Sequence, residues 1–140
     1  MYKHILLPTD GSELSHKAVL HGIQLAKVHN AKVTGLSVIL QSLTPRGLGD
    51  SMVGDKLHAD NAEMFLAFVS EEAKKAGVAF DCFFVSGDSV AEEIVRAAES
   101  TGCDLVCMSS HGRMGLRSLL MGSETTKVLH YSKVPVLVVR

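Results

Sequence analysis

The stretch 109–123, SSHGRMGLRSLLMGS, holds the residues of this chain best suited to chemistry. Gly112, Gly115 and Gly122 follow the apolar run 105–108, and a helical pattern opens at Ser123. A strand that runs into a glycine-rich turn and then a helix start presents unpaired backbone N–H groups and the positive end of a helix dipole. Such a turn holds phosphate without many cationic side chains. The glycine spacing fits neither GxxxxGK followed by Ser or Thr nor GxGxxG, so the two common phosphate loops are excluded.

A second polar cluster, Pro8, Thr9, Asp10, Gly11 and Ser12, closes the first apolar run. Asp10 reads as an acceptor for a ribose hydroxyl or a base amine, and Ser12 as the cap of the following helix. Arg113 and Arg117, four apart, could share a helical face and neutralise phosphate charge. Ser123 reads as a second helix cap, where an anion would also bind. His111 has no nucleophile with a third orienting group beside it in the sequence, so it reads as an ordinary loop histidine rather than a general base. The other histidines lack metal-ligand spacing, and no metal site built by the protein is expected. Magnesium would arrive with the phosphates.

These residues need elements to position them. Residues 4–9, 32–40, 79–86, 104–109 and 135–139 read as strands. The first, fourth and fifth are nearly continuous in Ile, Leu and Val, as suits parallel strands covered on both faces. Between them, 12–30, 55–76, 89–101 and 123–131 carry helical spacing, the third opened by a capping box of Ser89 and Glu92. Alternating strand and helix builds βαβ units and a parallel sheet. In such a sheet, ligands sit at the carboxyl ends of the strands where the strand order reverses, so 8–12 and 109–123 would face one crevice. The segment 41–54, with Pro45, Gly47, Gly49 and Gly54, reads as a long loop, either a lid or a mobile insertion.

Composition narrows the function classes. The chain has 140 residues, 46% hydrophobic and 21% charged, with formal net charge −1, as expected of one well-buried domain. Its scattered lysines and arginines argue against nucleic acid as a partner. Cys82, Cys103 and Cys107 sit in apolar runs and read as reduced core thiols. No segment approaches the roughly 20 apolar residues of a membrane span, and 1–11 is too broken for a signal peptide. A cytoplasmic protein is expected.

The apolar strand, Ser109, Gly112, nine residues, Gly122-Ser123, a short helix and the final VPVLVV together resemble the universal stress protein family. The opening KHILLPTDGSELSHKA is also similar to it, so the resemblance spans the chain. The family's nucleotide-binding branch has G-x-x-G-x9-G-(S/T); here Ser109 stands at the first position. The resemblance implies Pro8, Thr9 and Asp10 beside adenine and ribose, and Val38 packed on the adenine with Met108 nearby. It places Ser109 and Gly112 at the ribose and first phosphates. Gly122, Ser123, Glu124 and Thr125 would offer N–H groups and hydroxyls to the outer phosphates, and Arg113 would assist. It also implies a homodimer through the last strand, 134–139, an apolar edge that invites pairing.

The resulting expectation is an open, doubly wound, Rossmann-like α/β domain of order 3-2-1-4-5 with helices on both faces. It would bind ATP, ADP or AMP as a stress-response or signalling protein, with at most slow hydrolysis. One alternative is a dimeric scaffold or adaptor without nucleotide, for which Ser109 is the main support, since serine adopts positive φ less freely than glycine. Another is an adenylating or nucleotidyl-transferring enzyme of related fold. The SGGxDS-like and HIGH-like loops of such enzymes are absent.

Overall fold

A computed structural model describes residues 1–41, 50–113 and 120–140, with 50–53 described by backbone alone. In chain order the elements are β1 (His4–Pro8), α1 (Glu13–His29), β2 (Lys32–Leu40), α2 (Asp50–Ala76), β3 (Phe80–Gly87), α3 (Val90–Thr101), β4 (Leu105–Ser109), α4 (Ser123–Tyr131) and β5 (Val136–Val139). The strands form one parallel sheet of order β3-β2-β1-β4-β5, as the sequence predicts.

The continuous apolar runs follow from coverage on both faces. Ile5, Leu6 and Leu7 are all fully buried. Ile5 and Leu7 point to one side, joining Val19 and Ile23 of α1 and Val69 and Ala73 of α2. Leu6 points to the other, joining Ile94 and Ala98 of α3 and Val128 of α4. Truncating such a residue to alanine costs about 2–5 kcal/mol, because the cavity cannot fully collapse.

Local signals place the helix ends. Ser12 is the N-cap of α1, its Oγ accepting from the Ser15 N–H at 3.2 Å. That helix ends at Asn30 in the left-handed region, φ 55°. Ser89 caps α3 by accepting from the Glu92 N–H, and Gly102, φ 73°, ends it.

Helix α2 begins at Asp50, whereas the sequence pattern starts it at residue 55. Helical backbone therefore runs through Gly54, which the sequence reading takes as loop. One internal glycine costs about 1 kcal/mol relative to alanine, too little to stop a helix that packing holds further along. The lid expected in 41–54 otherwise falls on 42–49, outside the described residues. No described helix is long and apolar enough to cross a membrane.

The order places β1 between β2 and β4, so the chain reverses its direction of travel across the sheet beside β1. The crevice that this reversal opens lies at the carboxyl ends of β1 and β4. Both polar clusters singled out in the sequence meet there.

Candidate functional site

Strand β1 ends at Pro8, and its pairing with Leu36 of β2 continues as a 2.8 Å hydrogen bond from the Thr9 N–H to the Leu36 carbonyl. Thr9 is buried, its hydroxyl 3.1 Å from that of Ser15. Pro8 alternates with Leu6 and so shares its face of the sheet. Val38 and Met108 pack into the same α3–α4 side. Val38 lies two residues beyond Leu36, past the end of β1. Pro8, Val38 and Met108 thus outline an apolar floor at the reversal, with Val38 half-buried and Met108 5% exposed.

Asp10 is held by both carboxylate oxygens. Oδ1 accepts from the Ser12 N–H at 3.0 Å and from the Ser12 hydroxyl at 2.6 Å. Oδ2 accepts from the Arg113 N–H across the crevice. Burial pushes its pKa up, but the hydrogen bonds from Ser12 and Arg113 outweigh this and hold the carboxyl below its usual value. The carboxylate expected to face a ligand is therefore also the clasp between the β1–α1 turn and the glycine-rich loop.

Ser109 is the last residue of β4 and buried; its Oγ donates to the His111 carbonyl at 2.8 Å. Among the described residues Asn30 is the one non-glycine with positive φ, so Ser109 sits where serine is unstrained. The conformational objection to serine at this position does not apply here. Gly112 also lacks a positive φ. A Cβ there would lie 2.9 Å from Asp10 Oδ2, so glycine serves close approach of the carboxylate.

The far limb of the loop returns at Gly122. Its N–H donates to the Ser110 carbonyl at 2.7 Å, and the Ser110 N–H donates to the Val139 carbonyl of β5 at 2.9 Å. A Cβ on Gly122 would lie 3.0 Å from the Ser110 oxygen and 3.2 Å from His111 Cα. Backbone against backbone leaves no side chain to give way. The start of α4 is thereby stapled to the end of β4.

The cap of α4 is Gly122, not Ser123. Ser123 is the first helical residue, exposed, and Gly122 offers no side-chain cap. The close fit of Gly122 on the Ser110 carbonyl favours this, since any Cβ there would crowd backbone at 3.0 Å. The first-turn N–H groups of Ser123, Glu124 and Thr125 have no acceptor within the helix, and the Thr126 N–H takes the Gly122 carbonyl.

Two side chains expected near phosphate point elsewhere. The Thr125 hydroxyl is buried and donates to the Ser109 carbonyl at 2.9 Å. Glu124 accepts from the Ala91 N–H at 2.8 Å, capping α3. That turns its negative charge onto a neighbouring helix start and leaves its backbone N–H for the crevice. The Arg113 guanidinium lies over the Phe65 ring, 5.2 Å from its centroid. Arg117 lies outside the described residues. His111 is buried, with Nδ1 3.0 Å from the Ser110 hydroxyl.

Sequence reasoning misses Ser15, Ser110 and Phe65. Ser15 could have been found from its place three residues after the cap Ser12. Phe65 carries no local signal, because its contacts join α2 to residues distant in sequence. The cysteines are free: Cys103 and Cys107 are buried and Cys82 half-buried. Burial pushes the Cys107 thiol up to about 12 and raises the other two. None carries the lowered pKa of a reactive thiol. No group of three His, Cys, Asp or Glu among the described residues could hold a metal ion.

Residues 1–140 match the universal stress protein family. Universal stress protein MJ0531 of Methanocaldococcus jannaschii is 34% identical over 144 residues, spanning 100% of this chain and 83% of that protein. MJ0577 of the same organism is 32% identical, and its solved structure superposes with a TM-score of 0.85 over 99% of this chain and 96% of that one. A universal stress protein solved in complex with cAMP is 27% identical, with a TM-score of 0.76 over 99% of this chain and 97% of that one. The family match over the whole chain, these identities and the shared fold agree: the chain belongs to the universal stress protein family.

Proposed function

We propose that this chain binds ATP or a related adenine nucleotide, ADP or AMP, and acts as a stress-response or signalling protein whose output depends on occupancy. The observation that carries this reading is the start of α4. It has no side-chain cap, its first-turn N–H groups lack helical acceptors, and it is stapled to β4 at the reversal of the sheet. Anions bind such a start through N–H groups and the helix dipole. The cAMP complex of a relative supports an adenine nucleotide as the class of ligand.

In this reading Pro8, Val38 and Met108 pack on the base, and Asp10 and Ser109 adjoin the ribose. Ser123, Glu124 and Thr125 meet the phosphates through backbone N–H groups, Ser123 also through its exposed hydroxyl, with magnesium accompanying the phosphates. Asp10 is already engaged by three donors, which leaves it poorly suited to activate water, so hydrolysis is slow at most. A cytoplasmic homodimer joined through β5 completes the reading. That strand is half-exposed and, among the described residues, pairs on one side only, with β4.

Thermal melting with and without ATP and magnesium tests it. Ligand at 100 times its dissociation constant adds about 2.7 kcal/mol and raises Tm by several degrees. No shift at millimolar ATP overturns the nucleotide reading in favour of the scaffold. Rapid turnover would favour the enzyme. Mass spectrometry of freshly purified, denatured protein identifies a co-purified nucleotide.

A further inference from the structure

The aromatic side chains of α2 are not explained by the core alone. Phe65 and Phe68 both face the β1–α1 region. Phe68 stacks on His16 of α1, ring centroids 3.9 Å apart and planes 19° off parallel. Phe65 sits against Gly11, the residue after Asp10, which has φ +78° and no side chain; a Cβ there would lie 2.3 Å from the edge of the Phe65 ring. Over the same ring lies the Arg113 guanidinium at 5.2 Å. The Arg113 N–H is bound to Asp10, next to Gly11. The near limb of the glycine-rich loop is therefore anchored twice, once by backbone to a carboxylate and once by side chain to an aromatic face.

We propose that Phe65 is a positioning residue: through Arg113 it holds the near limb of the glycine-rich loop against the β1–α1 turn and so sets nucleotide affinity. This rests on the nucleotide reading above and assigns Arg113 a different task from gripping phosphate. A guanidinium over a ring gains quadrupole attraction that an aliphatic side chain cannot supply. Helix α2 thereby becomes a third wall of the crevice, reporting its own position to the loop.

The experiment is a double-mutant cycle with Phe65→Leu and Arg113→Gln, with Phe65→Tyr as the conservative variant. It reads ATP–magnesium affinity by calorimetry and Arg113 amide exchange by NMR without ligand. Melting of each variant checks folding. Phe65→Leu weakens ATP roughly fivefold, as loss of a partly exposed cation–π contact requires, while Phe65→Tyr stays near wild type. Arg113→Gln weakens ATP similarly, and the double variant is no weaker than either single one. Exchange of the Arg113 amide speeds up in Phe65→Leu and not in Phe65→Tyr. Merely filling space would be served by leucine. Equal losses from Arg113→Gln in the wild-type and Phe65→Leu backgrounds would show that Arg113 contacts phosphate directly, and would overturn the proposal. So would amide exchange unchanged by Phe65→Leu. If wild type binds no ATP the nucleotide reading fails by itself, and the proposal fails with respect to affinity while amide exchange still decides the clasp.

Discussion

Helices α1 and α3 begin differently from α4. Serine hydroxyls cap the first two, Ser12 on the Ser15 N–H and Ser89 on the Glu92 N–H. Helix α3 is capped twice, since Glu124 also takes the Ala91 N–H. The start of α4 has a glycine, no side-chain cap, and a carboxylate turned away from it. A folded protein ordinarily satisfies its helix-start donors from within, because leaving them bare lowers stability. Leaving them open at the reversal of the sheet, while closing them at α1 and α3, separates a helix start built for stability from one open to an anion.

The largest effect that would break this contrast is Gly122→Val. A β-branched side chain must displace the Ser110 and His111 backbone, so the ATP-induced rise in Tm disappears, with about 1–3 kcal/mol lost from the unliganded protein. A shift that survives the substitution would refute the phosphate geometry. Next is Asp10→Asn, which removes charge from an acceptor of three donors and lowers stability by about 2 kcal/mol in denaturant melts at neutral pH. The sign with pH follows from the lowered pKa of Asp10. Its stabilisation is present above the unfolded carboxyl value, near 4, and is lost as pH falls through the folded value. Wild type should therefore lose its advantage over Asp10→Asn on acidification below about pH 4.

Helix caps sharpen the contrast at smaller scale. Ser89→Ala should cost about 1 kcal/mol of stability and leave ATP affinity unchanged. Ser123→Ala should do the reverse, moving unliganded stability by less than about 0.5 kcal/mol while weakening ATP. Equal destabilisation by the two substitutions would erase the distinction between the helix starts. The smallest effect is Glu124→Gln. It weakens the second cap of α3 by about 0.5 kcal/mol, and ATP binding tightens slightly as a negative charge leaves the neighbourhood.

Most of the scaffold could be read along the chain because its cues are local. Strand cores in Ile, Leu and Val, and the serines at 12 and 89, act within a few residues. Pattern alone starts α2 too late because Gly54 punctuates the sequence while packing further along holds the helix. Local preference points to Ser123 as the cap of α4 because serine is the better cap in isolation. The fit of Gly122 on Ser110 overrides that preference, and nothing near Gly122 in sequence announces it. The placements of Glu124 and Thr125 have no local signal for the same reason: the donor to Glu124 lies on α3 and the acceptor of the Thr125 hydroxyl on β4.

The sequence by itself determined the alternation of strand and helix, the location of the two polar clusters at strand ends, and the family to which the chain belongs. Periodicity, turn chemistry and motif spacing are properties of neighbours. Tertiary structure alone decided which groups remain open to a ligand. Each donor and acceptor at the crevice is either used within the protein or left free according to what another part of the chain brings beside it. Asp10 meets Arg113, Glu124 meets Ala91 and Phe65 meets Gly11 across separations that no local pattern encodes. The two described limbs of the loop, 109–113 and 122–125, thus owe their glycines to sequence and their placement to the groups that close on them.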